Sequence, residues 1–212
     1  MKLAAALSVL ALFLFGAFAA AFGLMASDDR DTWRSASGER AVYRGSEPPP
    51  GIRLPNFALR DYTGELVRAR NLRGKVVVIT FLDSQCTASC PVIASQIGRT
   101  IDLLTSAERD YVEAVAISTD PAEDTRASAR RFLARQRAVG KLRFLTRPEQ
   151  AIRSVWKSFA ILSSLESGKD TLHSAPVRVY DRNGMWVSTL HVGVDLTPEN
   201  LVHDSRRAFN DN

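Results

Sequence analysis

The sequence has few of the residues that most often carry chemistry. Its 212 residues include only two cysteines, Cys86 and Cys90, and three histidines, His173, His191 and His203. Two cysteines this close exclude the disulfide framework that staples small secreted domains, and one bridge across so short a loop restrains little chain entropy. Their spacing points to chemistry rather than stapling. Aromatic residues make up 8% of the chain and do not interleave with basic residues in a stripe, so nucleic acid is not an expected partner. Internal repeats are absent. Arginine is missing from the first 29 residues, which argues against an organellar transit peptide.

The longest absence is of charge. Leu3 to Met25 is 23 consecutive uncharged positions. As a helix at ~1.5 Å per residue this run measures about 34 Å, against a hydrocarbon core of roughly 30 Å. Residues 1–26 are therefore expected to be a transmembrane anchor or an uncleaved signal. The apolar part of a cleaved signal is usually only about 7 to 15 residues, although small residues at Ala17 to Ala21 and Ala26 are compatible with processing. Lys2 precedes the run and favours the amino terminus inside and the remainder outside. Beyond Lys2 the chain carries 27 basic and 23 acidic residues, a mild net charge of +4.

Residues 27–50 are polar and end in Glu47-Pro-Pro-Pro50, which reads as an extended tether. Residues 51–212 are expected to form one domain. Leu54 to Val67, broken at Asp61-Tyr-Thr-Gly64, reads as an N-terminal hairpin. Val76 to Phe81 is apolar at nearly every position, the mark of a strand covered on both faces. A helix from about Cys90 to Thr105 follows, then a second buried strand at Val112 to Ser118 and an arginine-rich helix over 126–139 that reads as a solvated face. Further on come a short strand at Leu142 to Leu145, a helix with Pro148 in its first turn, and a hairpin turning at Asn183-Gly184. Thr197-Pro198-Glu199 caps a last helix. The pattern supports an α/β fold with a central sheet flanked by helices.

Both cysteines lie in Phe81 to Val92, between a buried strand and a helix start. Unpaired N–H groups and the helix dipole at such a start favour thiolate over thiol. Two thiolates can hold one metal ion or form a disulfide. With one imidazole they suit copper, as Cu+ or Cu2+. His203 reads as a surface residue of the terminal helix and His191 as a strand-end or core residue. His173 stands in a loop ahead of the strand at Pro176, and is slightly preferred as the third ligand. A zinc site using His191 as a fourth ligand ranks below copper, because a domain with this much apolar patterning has little need of a structural metal. The alternative function is a thiol-disulfide oxidoreductase acting on cysteines of a partner protein, with Cys86 and Cys90 as catalytic residues; the four-residue spacing departs from the common CxxC. A peroxidase ranks last, since Asp83 puts negative charge near Cys86.

Cys86-Thr-Ala-Ser-Cys90-Pro91 after one buried strand, Asp120-Pro121-Ala-Glu-Asp124-Thr125 after the next, and His173-Ser174-Ala175 eight residues before Asp181 resemble the Sco/SenC family. Leu54-Pro-Asn-Phe57-Ala-Leu59-Arg-Asp61-Tyr-Thr-Gly64 and Leu72-Arg-Gly74-Lys75-Val76 resemble its opening, and the likeness runs from Leu54 to about Leu190. The resemblance implies a thioredoxin-like fold on a single N-terminal anchor in a bacterial inner membrane, with the domain facing the periplasm. It implies a copper-binding chaperone that assists assembly of the dinuclear copper centre of cytochrome c oxidase, with thiol-disulfide oxidoreductase activity left open. Cys86, Cys90 and His173 are then the metal ligands. The implied partners are the copper-bearing subunit of the oxidase or other copper-handling proteins. Thr87 stands where the family usually has proline and Leu172 where an aspartate is common. The first changes loop stiffness, and the second removes a carboxylate that would orient the histidine.

Overall fold

The computed structural model describes residues 42–161 and 175–211. The apolar run Leu3 to Met25, most of the 27–50 tether, Leu172 and His173 lie outside the described residues. From Tyr43 onward the described chain forms one compact unit. Among the described residues no helix is long and apolar enough to cross a membrane.

The strands are β1 (Ala58–Asp61), β2 (Leu66–Arg68), β3 (Val76–Leu82), β4 (Val112–Ser118), β5 (Arg143–Arg147), β6 (Val177–Tyr180) and β7 (Trp186–Leu190). The helices are α1 (Ser89–Leu103), α2 (Ser106–Tyr111), α3 (Arg126–Arg135), α4 (Glu149–Ser158) and α5 (Pro198–Asn210). One sheet runs in the order β2-β1-β5-β4-β3-β6-β7. Parallel pairing joins β3 to β4 and β4 to β5, while β6, β7, β1 and β2 pair antiparallel outside that centre.

All seven residues of β3 are buried, because alternate side chains enter two different cores. Val76, Val78 and Leu82 face a core completed by Ile93 and Ile97 of α1, Phe132 and Leu133 of α3 and Leu201 of α5. Val77, Ile79 and Phe81 face another, built with Ile152, Val155 and Trp156 of α4. Helices on both faces keep the central strand dry and fix the direction in which β3 delivers the chain to the cysteine loop.

Some features differ from the sequence expectation. Tyr43 to Ser46, placed by sequence within the polar tether, packs onto the fold. The Arg44 and Gly45 N–H groups donate to the buried Asp204 carboxylate at 2.7 and 3.0 Å, and Ser46 bridges Thr189. Buried backbone donors need acceptors, and Asp204 supplies one from a helix about 160 positions away. Pro148 is the N-cap of α4, one position ahead of its first turn, and the Arg147–Pro148 peptide is cis.

Candidate metal centre

The site grows out of the end of β3. Leu82 is the last strand residue, Asp83 to Ala88 form the connection, and α1 starts at Ser89. Ala88 at the N-cap makes no side-chain hydrogen bond, so the first N–H groups of α1 have no side-chain cap. Cys90 is the second residue of the helix and 1% exposed, packed in the same core as Ile93 and Ile97. Cys86 is half-buried in the loop, resting on that core, and its N–H donates to the Asp83 carbonyl at 3.3 Å. The two thiols are free and hydrogen-bond to each other. Two sulfur donors thus converge, one inside the apolar core and one at its edge.

Burial decides the state of the inner sulfur. It pushes the Cys90 thiol well above its ordinary range; a backbone hydrogen bond from Asp83 opposes the rise, and the neighbouring Cys86 and Asp83 groups add to it. The helix start alone predicts an easily formed thiolate, and for Cys90 that expectation is corrected. Desolvation of a sulfur anion inside a core outweighs the favourable dipole. Cys90 is therefore a thiol until a cation or a strong base takes its proton.

A buried carboxylate holds the loop in place. Asp124, 0% exposed, accepts from the Ser84 N–H at 2.8 Å and from the Ser118 hydroxyl at 2.6 Å, so it ties the cysteine loop to the end of β4. The Ser118 carbonyl in turn accepts from Trp156 Nε1 of α4 at 2.8 Å, and the Thr119 N–H donates to Leu82 at 2.9 Å. On the loop itself, Asp83 Oδ1 accepts from the Gln85 N–H at 2.6 Å, and Gln85 reaches Ser84 at 2.9 Å. Burial pushes the Asp124 carboxyl up to about 6, against the Ser118 and Ser84 hydrogen bonds that hold it down. In the sequence Asp124 stands within the Asp120-Pro121-Ala-Glu-Asp124-Thr125 motif with no role of its own. Its signal was the acid placed just after a buried strand, whose serine it binds.

Two of the three histidines are among the described residues. His191 follows β7, where its backbone N–H donates to Asp195 at 2.5 Å. His203 sits on α5 with its side chain 42% exposed and Nδ1 2.9 Å from Asp204. Among the described residues no three potential ligands cluster, so the structure assembles the Cys86 and Cys90 pair without a third group. His173, the expected third ligand, lies outside the described residues, although the described chain resumes at Ala175 and enters β6 beside β3.

A sheet with helices on both faces and a dithiol where a central strand meets its helix places this chain in the thioredoxin-like class. A family profile described as SCO1/SenC matches residues 47–210. The chain belongs to the SCO1/SenC family. A SCO2-like protein of Rickettsia felis (strain ATCC VR-1525 / URRWXCal2) is 26% identical over 153 residues, covering 69% of this chain and 72% of the relative. The copper-bound structure of ScoI from Bradyrhizobium japonicum is 26% identical with a TM-score of 0.60, covering 75% of this chain and 100% of that one. The solution structure of apo Sco1 from Thermus thermophilus has a TM-score of 0.64 at 21% identity, covering 81% of this chain and 100% of that one.

Proposed function

We propose that this chain is a copper-binding chaperone that assists assembly of the dinuclear copper centre of cytochrome c oxidase, taking copper as cargo on Cys86, Cys90 and His173. The observation that carries the reading is the meeting of two free thiols at the β3–α1 junction of a protein whose family consists of copper-binding oxidase assembly factors. Soft sulfur donors in an apolar setting favour cuprous ion over harder cations. The arrangement of the pair suits transfer. Cys86 at the edge is the sulfur a donor or acceptor protein can reach, while Cys90 supplies the second bond from within. Binding releases the Cys90 proton, because the thiolate is the ligand.

The apolar run at the amino terminus supports a further part of the proposal. Leu3 to Met25 anchors the chain in a bacterial inner membrane, residues 27–50 begin as a tether, and the domain works on the periplasmic side, where the copper-bearing oxidase subunit or another copper-handling protein is its partner.

Competition for cuprous ion between the reduced protein and a coloured chelator tests the assignment. The wild-type chain is expected to take up about one equivalent, by the ligand count. Cys86→Ser and His173→Ala should each weaken uptake by tenfold or more, about 1.4 kcal/mol. Unchanged affinity in His173→Ala removes that histidine from the site.

A further inference from the structure

The opposite end of the sheet carries a cleft with a chemistry of its own. Two adjoining hollows of about 410 and 560 Å³ share Asn56, Arg70 and Arg73 and lie around the start of β3 and the turn between β6 and β7. Five arginines line them: Arg53, Arg68, Arg70, Arg73 and Arg182. Among the described residues no aspartate or glutamate lines either hollow. The floor is apolar, with Leu54, Leu72 and Val77 in the first hollow and Phe57 in the second.

These guanidinium groups are mostly unclaimed. Arg53 donates to the Asn183 carbonyl at 3.3 Å, and Arg182 lies 4.7 Å from the Phe209 ring centre and reaches the Phe209 carbonyl at 3.5 Å. The side chains of Arg68, Arg70 and Arg73 have no hydrogen-bond or ion-pair partner among the described residues. Like charges gathered without counter-charge repel one another, so the cluster gains stability from whatever anion neutralises it. A third hollow makes the contrast. Arg99, Arg135 and Arg137 also line a cavity, but Asp102 stands among them and pairs with Lys141 at 2.6 Å.

We propose that the arginine cleft is a binding site for a phosphate-bearing anion, separate from the cysteine site. Planar guanidinium forks bind phosphate oxygens in pairs, and several converging on one hollow select a multiply charged or bidentate group over chloride. The apolar floor gives the site room for the uncharged part of an organic phosphate. Separation from the thiols follows from β3, whose seven residues at ~3.3 Å each put roughly 20 Å between Arg73 at one end and the cysteine loop at the other. The chemistry has two sources, a phospholipid headgroup or a soluble phosphate. The uncharged run Leu3 to Met25 favours the headgroup, because a membrane-tethered domain meets lipid phosphate at high local concentration.

The test follows arginine modification by phenylglyoxal, read by mass spectrometry, on the full chain in a phosphate-free maltoside detergent. Inorganic phosphate, glycerophosphoglycerol or added phosphatidylglycerol is expected to slow modification of Arg70 and Arg73 several-fold and saturably. Exposed Arg130 and Arg131 on α3 should react at unchanged rates. Stronger protection by phosphatidylglycerol than by the free anions assigns the headgroup, and equal protection by inorganic phosphate assigns a soluble anion. In the double variant Arg70→Gln, Arg73→Gln, protection of Arg53 should be lost while cuprous-ion uptake stays at the wild-type level. Protection absent under all three additions, or equal at Arg130 and Arg131, overturns the proposal and leaves the copper assignment untouched.

Discussion

Beneath the cysteine loop, Asp124 exchanges the hydration of its carboxylate for hydrogen bonds from Ser84 and Ser118. Removing the acceptor strands both buried donors, so Asp124→Ala is expected to lower unfolding stability by roughly 2–4 kcal/mol, measured by urea titration. The pH dependence has a definite sign. Burial raises this carboxyl from 3.8 to about 6, so its contribution is fully present below about pH 4 and is lost as pH rises through about 6. Holding it ionised above that range costs roughly 3 kcal/mol. Stability curves of wild type and Asp124→Asn should therefore converge or cross between pH 4 and 6, whereas parallel curves contradict the raised carboxyl. Cys90 was legible only in part. Its place at a helix start was readable from Ser89-Cys90-Pro91, but its burial depends on Ile93, Leu82 and residues of other elements, which no local pattern displays.

Among the elements, α2 shows a signal that was present and unread. No expected element covers Ser106–Tyr111, yet Thr105 and Glu108 form a reciprocal capping box. Glu108 also holds Arg206 of α5 through two bonds of 2.6 and 3.1 Å, and the Arg206 hydrogen bonds keep its carboxyl down at about 2. A lowered carboxyl stabilises the fold above its ordinary value of 4.5 and loses that effect as pH falls toward 2. Arg206→Ala is accordingly expected to flatten the acid limb of the thermal melting profile between about pH 4.5 and 2, with little change at neutral pH beyond that of a surface pair. Strands were more legible than helix ends. The nearly continuous apolar run of β3 and the Asn183-Gly184 turn between β6 and β7 each reflect one strong local preference. By charge pattern the helix bearing Arg126 is a solvated face, yet Arg126 donates to the Tyr62 and Thr63 carbonyls, long-range partners that charge patterning does not reveal.

At the scale of the molecule, strand order was beyond the sequence. β5 lies between β4 and β1 although β1 precedes it by more than eighty positions, because this half of the sheet is built by non-local pairing. The segment at Tyr43 to Ser46 joins the fold in the same non-local way. Gly45 admits no side chain there, since a Cβ would stand 2.4 Å from Ser188 Oγ and 2.6 Å from the Thr189 carbonyl. Gly45→Ala is expected to cost about 1–3 kcal/mol in urea denaturation and to expose the segment to proteolysis. Full stability in that variant means the segment does not need its seat on β7. Of the proposed metal site, Cys86 and Cys90 announce themselves by spacing, while the choice of His173 as third ligand rests on a slight preference from its loop position and on the family resemblance. X-ray absorption at the copper edge of the protein loaded with one equivalent of cuprous ion tests the central claim directly. The account predicts about two sulfur neighbours and one imidazole nitrogen, with the nitrogen lost in His173→Ala. A shell of nitrogen and oxygen alone, or one unchanged by that substitution, contradicts it.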